Sequence, residues 1–269
     1  MDNIFSFNRF GKLLKKEFSE YFQRFGITIL VFLSFIIIAW GISLLFGVDK
    51  MFSVNTRSIG IYSLTALVAL FAPFIVYGYA NHPKKGIYYT MLPASSFEKF
   101  LSMVIYILIV TPVVFLLTAV LLDSLIVTIK SPENTQYLFS TLFSKNTLAL
   151  TQYSDLFQNI SIFMLANMIF KKQKVAKSLL SIIGISIILS VLVGKIVETA
   201  GIEAFFNMDA MNNITEYVDG NSFPNLLNMR HFAKELLAPW FWYFITITSI
   251  VIPLAALTGT YFKIKTQKY

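Results

Sequence analysis

The chain has 269 residues, of which 56% are hydrophobic and only 13% charged, and its formal net charge at pH 7 is +8. A soluble domain carries about 25% charged residues, so this composition excludes an ordinary soluble globule and indicates a membrane protein. The chain contains no cysteine, which excludes a disulfide framework, a thiolate nucleophile and a cysteine metal site.

The first predicted element is an amphipathic helix at residues 1–24. We expect it to lie in the membrane interface with its basic face toward anionic headgroups, a position that also allows contact with a cytoplasmic partner. The apolar run that follows this helix is not succeeded by a small-residue cleavage site. We therefore expect it to remain as a membrane span and not to be removed as a signal peptide. The apolar face has spacings of three or four and consists of Phe7, Phe10, Leu14, Phe18, Tyr21 and Phe25.

Six apolar segments follow, each close to the length of roughly 20 residues that a helix needs to cross a bilayer. The second segment contains Pro73 and the fourth contains two asparagines. Such residues are tolerated in a membrane span where neighbouring helices supply hydrogen-bond partners for the exposed polar groups. Kinks are expected at Pro112 and Pro253. We therefore predict an all-α, polytopic membrane protein whose residues 1–269 form a single transmembrane domain. The predicted spans are 25–46, 58–79, 101–122, 150–170, 179–197 and 239–260.

The distribution of Lys and Arg orients these spans. Both termini and the loops at 80–100 and 171–178 hold 15 Lys/Arg, whereas the opposite segments hold 7. Both termini are therefore predicted to be cytoplasmic, and the lysines of 171–178 to anchor on lipid headgroups. The net charge reflects this topology, so no nucleic-acid partner is expected. A large outer loop is predicted at 198–238, with short helices resting on the membrane.

Several kinds of chemistry are missing from the sequence. No phosphate loop, no H-E-x-x-H metal motif and no nucleophile elbow occur. The interiors of the predicted spans hold no Asp, Glu, Lys, Arg or His, whereas ion-coupled carriers bury such groups near the midplane. The chain is therefore predicted not to be an enzyme, without catalytic, cofactor-binding or metal residues, and any transport to be powered by another chain.

The loop at 80–100 is basic and yet rich in apolar residues. Pro93 stops any helix before it, and Ser95 with Glu98 three residues later predicts a capping box at the start of the next helix. Apolar side chains rimmed by lysines indicate headgroup contact or a docking surface. A topogenic loop with interfacial tyrosines is the alternative. The residues singled out are His82, Lys84, Lys85, Tyr88, Tyr89, Leu92, Pro93, Ser95, Glu98 and Lys99.

A leucine-proline-x-Ser turn before a charged helix resembles the membrane-spanning permease of type 2 ATP-binding-cassette (ABC) transporters. The matching residues are Leu92, Pro93, Ser95 and Lys99, and the layout of six spans with an amphipathic N-terminal helix is similar. The chain departs from the family at residues 96–97 (Ser-Phe), where members often have Arg or Lys.

The resemblance implies that the 80–100 loop couples to a separate ATPase subunit, which holds ATP and Mg²⁺. It implies a dimer with a second, identical or related permease in a bacterial inner membrane, moving a lipid, peptide, glycan or drug. The expected partner contacts are Lys84, Lys85, Tyr88, Tyr89 and Leu92. A non-transporting membrane scaffold, assembly factor or sensor that recruits a cytoplasmic partner through the same loops is the alternative function.

Two further sets of residues have two interpretations each. Ser186, Ser190 and Gly194 form a small-residue stripe on the fifth span, which is either a dimer seam or a packing surface within one subunit. Asn159 and Asn167 on the fourth span either line a polar path or form interhelical hydrogen bonds.

Overall fold

The computed structural model describes residues 5–47, 53–82, 84–129, 137–139, 150–207 and 237–266. Within these ranges the secondary structure is helical, and the only β pairing is one isolated bridge between Phe206 and Leu237. This confirms the predicted all-α class. Besides α-helices, the described chain contains a π-helix at Ile105–Val110 and a short 3₁₀ turn at Ile202–Ala204. The α-helices are α1 (Phe7–Phe46), α2 (Val54–Val76), α3 (Gly86–Thr90), α4 (Ser96–Val104), α5 (Thr111–Ile129), α6 (Leu150–Ile169), α7 (Lys174–Ala200) and α8 (Pro239–Thr266).

Five helical segments of the described residues are long and apolar enough to cross a membrane. They are Phe7–Phe46, Thr56–Val76, Ser96–Ile129, Lys174–Ala200 and Pro239–Thr266, and each overlaps one predicted span. The predicted fourth span, 150–170, coincides with α6, whose apolar part is the shorter stretch Leu156–Ile169. The predicted outer loop, 198–238, is described only at its ends: the helix before it continues to Ala200 and a 3₁₀ turn covers Ile202–Ala204, whereas residues 208–236 lie outside the described residues.

Helix α1 is continuous over 40 residues, so the structure has no boundary between an interfacial helix and the first span. At 1.5 Å per residue it is about 60 Å long, twice the thickness of the hydrocarbon core. Two successive i,i+4 ion pairs, Lys16–Glu20 at 3.2 Å and Glu20–Arg24 at 3.0 Å, cross the predicted boundary region. Such pairs support helix continuity where no proline interrupts it.

The face that α1 packs against the other helices only partly coincides with the stripe predicted to face the lipid. Phe7 is 82% exposed and Phe18 54% exposed, and both belong to the predicted apolar stripe, whose position in a membrane interface stays a prediction. The stripe buried inside the protein has a spacing of four and consists of Leu13, Glu17, Tyr21, Phe25 and Ile29. It shares Tyr21 and Phe25 with the predicted stripe and includes a glutamate.

Helix α1 runs parallel to the continuous α4–π–α5 segment along most of its length. Tyr106 Oη donates to the Leu14 carbonyl at 2.7 Å, and Tyr21 Oη donates to Thr111 Oγ1 at 3.3 Å. At the far end Trp40 Nε1 donates to Asp123 Oδ1 at 3.0 Å. The partners are separated by 83 to 92 residues throughout, a nearly constant offset that places the two helices side by side.

The π-helix lies immediately before Pro112, where the sequence predicted a kink. Proline cannot donate a backbone hydrogen bond, and its ring clashes with the carbonyl one turn earlier. A wider turn relieves that clash, and within it the Tyr106 carbonyl accepts both the Thr111 N–H and, at 2.7 Å, the Thr111 hydroxyl. The third predicted span is thus one helical segment with a widened turn in its middle.

Candidate functional site

The loop between α2 and α4 presents one exposed face of the short helix α3. Tyr88 is 75% exposed and Met91 69%, and Ile87 beside them is 39% exposed. Lys84 and Lys85 are also exposed at the start of α3. The structure thus brings two cations and three apolar side chains together on the surface, a combination typical of an interaction site.

Tyr89 and Leu92 require a correction, because the sequence predicted that both contact a partner. Tyr89 is buried at 1% exposure, and its hydroxyl donates to the Lys99 carbonyl at 3.4 Å. Leu92 is partly buried and packs against the core. Both side chains are turned toward the core and support the loop, whereas Ile87 and Met91, which are not among the expected partner contacts, lie on the exposed face.

The predicted capping box at the start of α4 is confirmed. The Glu98 N–H donates to Ser95 Oγ at 3.2 Å, and the Ser95 N–H donates to Glu98 Oε2 at 2.8 Å. The other oxygen of Glu98 accepts from the Ser6 N–H at 2.8 Å and from Arg9 at 3.2 Å. The fully buried Glu98 side chain therefore ties the beginning of α4 to the beginning of α1.

Lys99 connects α4 to α3 in the opposite direction. Its ammonium group donates to the Thr90 carbonyl at the end of α3, at 3.0 Å, and only 7% of the residue is exposed. At the other end of α3, His82 Nδ1 accepts the backbone N–H groups of Lys84 and Lys85 at 3.2 and 3.3 Å. Helix α3 is thus held at both ends, and the start of α4 joins it to α1.

Replacing Lys99 by Met should loosen α3 without removing the bulk of the side chain. Loss of a charge-assisted hydrogen bond predicts an increase of about tenfold in the exchange rates of the α3 amides, measured by hydrogen exchange and mass spectrometry. Lys85→Met, which removes an exposed cation from the same loop, is the matched control and should leave these rates unchanged. Equal rates in both variants would show that Lys99 does not hold α3.

Glu17 is a second buried carboxylate that sequence reasoning did not single out. Only 4% of the residue is exposed. Its Oε2 accepts hydrogen bonds from Tyr77, at 2.5 Å, and from Ser102. Glu17 thereby joins α1 to the end of α2 and to α4. The sequence did contain a signal for this burial. Glu17 lies four residues from both Leu13 and Tyr21, so it belongs to a row of otherwise apolar residues on one face of the helix.

The residues after α2 complete this junction. Arg24 stacks on the ring of Tyr79 at 3.8 Å and donates to the Val76 carbonyl at 3.4 Å. Burial, followed by the charge of Glu17, raises the pKa of Tyr77 well above its usual range and that of Tyr79 to about 12. Both tyrosines are therefore neutral at physiological pH, so Tyr77 retains the proton that it donates to Glu17.

The two asparagines of α6 lie in different surroundings. Asn159 is exposed, whereas Asn167 is fully buried. The Asn167 amide donates to the Tyr77 carbonyl at 3.3 Å, and its oxygen accepts from Lys174 at 2.9 Å. Lys174, expected to anchor on headgroups, instead also donates to the Gly78 carbonyl at 2.7 Å. This geometry fits the hydrogen-bonding interpretation of Asn167; a polar path stays a prediction.

The predicted stripe on α7 packs against nothing within the described part of the chain. Ser186, Ser190 and Gly194 are exposed, and Ser178 is the buried residue of this helix. The exposed side chains around the stripe are apolar, as expected for a surface facing lipid or another subunit. No described residue covers the stripe, and both the dimer seam and packing within one subunit stay predictions.

A buried ion pair occupies the other end of the α1–α2–α5 bundle. Arg57 donates to Asp123 Oδ2 at 2.6 Å, and Trp40 donates to the other oxygen. Arg57 is 8% exposed and Asp123 1%. The sequence placed both just outside the spans, whereas α2 begins before Arg57 and α5 continues past Asp123. The predicted spans themselves contain neither residue, but the helices extend beyond those spans and bury this ion pair.

No family model, curated protein or solved structure matches this chain. Among the described residues, no group of three or more His, Cys, Asp or Glu side chains is placed to hold a metal ion. The function is therefore inferred from the geometry of the loop and of the buried charged groups.

Proposed function

We propose that this chain is the membrane-spanning permease subunit of a type 2 ABC exporter, powered by separate ATPase subunits that bind ATP and Mg²⁺. In this proposal two permeases form a dimer in a bacterial inner membrane and move a hydrophobic or amphipathic substrate. Six crossings, with α6 as the fourth, place both termini and the loop that contains α3 in the cytoplasm. Five candidate spans, the shorter apolar stretch Leu156–Ile169 taken as the fourth crossing, and the excess of Lys and Arg on one side of the predicted spans support this topology.

The construction of α3 is the observation that carries the proposal. Its exposed face combines Tyr88 and Met91 with neighbouring lysines, a surface suited to an apolar groove with an acidic rim. Its anchored face is bonded to α4 through Lys99. A force applied to α3 by a moving partner therefore reaches the third span directly, as energy coupling requires.

Tyr88→Ala tests this docking surface. Exposed aromatic side chains are frequent hot spots of interfaces, so the variant should retain an ATPase subunit at least about tenfold more weakly than the unaltered chain. The measurement is quantitative co-purification from native membranes, with the ATPase recognised by its G-x-x-x-x-G-K-[ST] phosphate loop.

Tyr243→Ala is the matched control, because Tyr243 is 66% exposed and lies on α8, away from the loop. It should retain the ATPase fully. Failure of any phosphate-loop ATPase to co-purify with the unaltered chain would favour a non-transporting scaffold. Hydrolysis of ATP by the purified chain alone would contradict the proposed division between subunits.

A further inference from the structure

The carboxyl end of α2 is bonded to three other helices at once. The last carbonyls of a helix have no partner within it, and a cation placed there also complements the helix dipole. Three successive residues, which form the α2 joint, each accept a hydrogen bond at their carbonyl from a side chain of α1, α6 or α7. The bonds run to Val76 from Arg24 at 3.4 Å, to Tyr77 from Asn167 at 3.3 Å, and to Gly78 from Lys174 at 2.7 Å.

The α2 joint has no room for a side chain at its last residue. A Cβ atom at Gly78 would collide with the Phe74 carbonyl oxygen, so the backbone of Gly78 packs directly on the last turn of α2. This close approach places the Gly78 carbonyl where Lys174 reaches it. Any change in how the chain leaves α2 therefore moves the acceptor of Lys174.

Helix α3 packs on the α2 joint through the buried ring of Tyr89. This ring makes edge contacts with Tyr79, at 5.9 Å between centroids, and with Tyr77, at 6.4 Å. The chain between α2 and α3 is also held in turns, because the Ala80 N–H donates to the Tyr77 carbonyl at 3.0 Å. Close-packed interiors are hardly compressible, so they transmit displacement. A movement of α3 is therefore passed to the α2 joint.

Lys174 is the contact through which the α2 joint holds the start of α7. Besides its bond to Gly78, its ammonium group donates to the Asn167 side-chain oxygen at 2.9 Å, so it connects α7 to both α2 and α6. The preceding residue, Gln173, has a φ of 50°. A residue with a side chain adopts this left-handed conformation only where its surroundings hold it. The two bonds of Lys174 supply that constraint.

Among the described residues, α7 is attached at its two ends. Ser178, in its first turns, is the buried residue of the helix, whereas residues 179–200 are all exposed or half-buried. Just beyond its far end, Trp240 Nε1 of α8 donates to the Ala204 carbonyl at 2.9 Å. A helix that is held at its ends and not along its length tilts as one body when one end is displaced.

We propose that the α2 joint couples the position of α3 to the tilt of α7, with Lys174 as the positioning residue that links them. A partner that displaces α3 moves Tyr89 against the joint, and Lys174 carries this displacement to the start of α7. Lys99 already connects α3 to the third span, so α3 acts on two crossings. The coupling resides in this chain alone and does not depend on which partner docks.

Hydrogen exchange and mass spectrometry test the coupling in the full-length protein in mixed micelles. Coupling is reciprocal, so a change at Lys174 should alter α3, although the side-chain hydrogen bonds of Lys174 go to α2 and α6. Lys174→Met should increase the exchange rates of the α3 amides by at least about threefold. Lys174→Arg, which keeps a long cationic side chain, should restore them.

Lys177→Met is the matched control for this experiment, because it removes an exposed cation from the same end of α7. It should leave the α3 amides unchanged. Unchanged α3 exchange in Lys174→Met, or equal increases in Lys174→Met and Lys177→Met, would overturn the proposal.

The second experiment measures the tilt of α7 directly. The chain contains no cysteine, so Ser186→Cys on α7 and Leu117→Cys on α5 can carry two spin labels without further changes. Both positions are exposed. Pulsed electron paramagnetic resonance gives the distribution of distances between the labels. Leu117→Cys with Leu254→Cys, which is exposed on α8, is the control pair.

Lys99→Met separates coupling from local support, because it loosens α3 and leaves every bond of Lys174 in place. In this variant the Ser186–Leu117 distribution should shift or broaden by at least about 1–2 Å, the size of helix displacements in switching proteins. The control pair should be unaffected. An unchanged Ser186–Leu117 distribution would overturn the coupling. Neither experiment involves an ATPase, so a failure of the proposed function would not alter how these results are interpreted.

Discussion

Replacement of Arg57 by glutamine is expected to lower the free energy of unfolding by about 3–5 kcal/mol, because it leaves the buried Asp123 carboxylate without its cation. Asp123 is 1% exposed, and Trp40 supplies only one neutral donor to it. The measurement is reversible denaturation in mixed micelles, followed by tryptophan fluorescence, with the unaltered protein as reference. A loss of this size is a large part of the stability of an ordinary domain.

A double variant distinguishes loss of the Arg57–Asp123 ion pair from the cost of leaving Asp123 buried and unpaired. Arg57→Met with Asp123→Leu removes both charges, so it should be clearly more stable than Arg57→Gln alone. Lys195→Gln removes a cation from an exposed position on α7 and should have little effect. If Arg57→Gln were as stable as Lys195→Gln, the ion pair would not hold α2 and α5 together.

Glu98→Ala is expected to lower the free energy of unfolding by about 3 kcal/mol. The substitution removes the acceptor of the Ser95 N–H, which is one half of the capping box and worth about 1 kcal/mol, and a charge-assisted hydrogen bond to Arg9, worth about 1.5–3 kcal/mol. It also leaves the Ser6 N–H without its acceptor. Besides denaturation, hydrogen exchange should show faster exchange in the first turn of α1, where Ser6 and Arg9 lie.

Ser95→Ala distinguishes the two roles of Glu98. Ser95 belongs to the capping box, and the hydrogen bonds of its side chain and N–H go to Glu98 and not to α1, so this variant should lose only about 1 kcal/mol and leave exchange in the first turn of α1 unchanged. Equal effects of Ser95→Ala and Glu98→Ala on α1 would mean that Glu98 acts only as a cap.

Features of the fold that depend on residues close together in the sequence were predictable. Apolar runs of sufficient length identified the segments that cross, and the Ser95–Glu98 capping box needed only a spacing of three. The exposure of Tyr88 and the burial of Tyr89 were not predictable, because adjacent residues in a five-residue helix have no periodicity to distinguish them. Which of the two faces outward is decided by the anchor at Lys99.

The buried charges were missed for a different reason. Arg57 and Asp123 are 66 residues apart, and Ser6 and Glu98 are 92 apart. No pattern within a window of the sequence connects such pairs, so each charge on its own looked like the end of a span. Glu17 was not singled out for the same reason, because its partners Tyr77 and Ser102 lie 60 and 85 residues away.

The side-by-side arrangement of α1 and α4–α5 has a consequence for biosynthesis. Arg9, Glu17 and Tyr21 emerge from the ribosome long before their partners, which lie 85 to 90 residues later in the chain. At roughly 5–20 residues per second, the nascent α1 must wait about 5–20 s before the third crossing arrives. During that interval a glutamate destined for the interior remains hydrated, so the amino-terminal half of α1 docks only after the third crossing has been inserted.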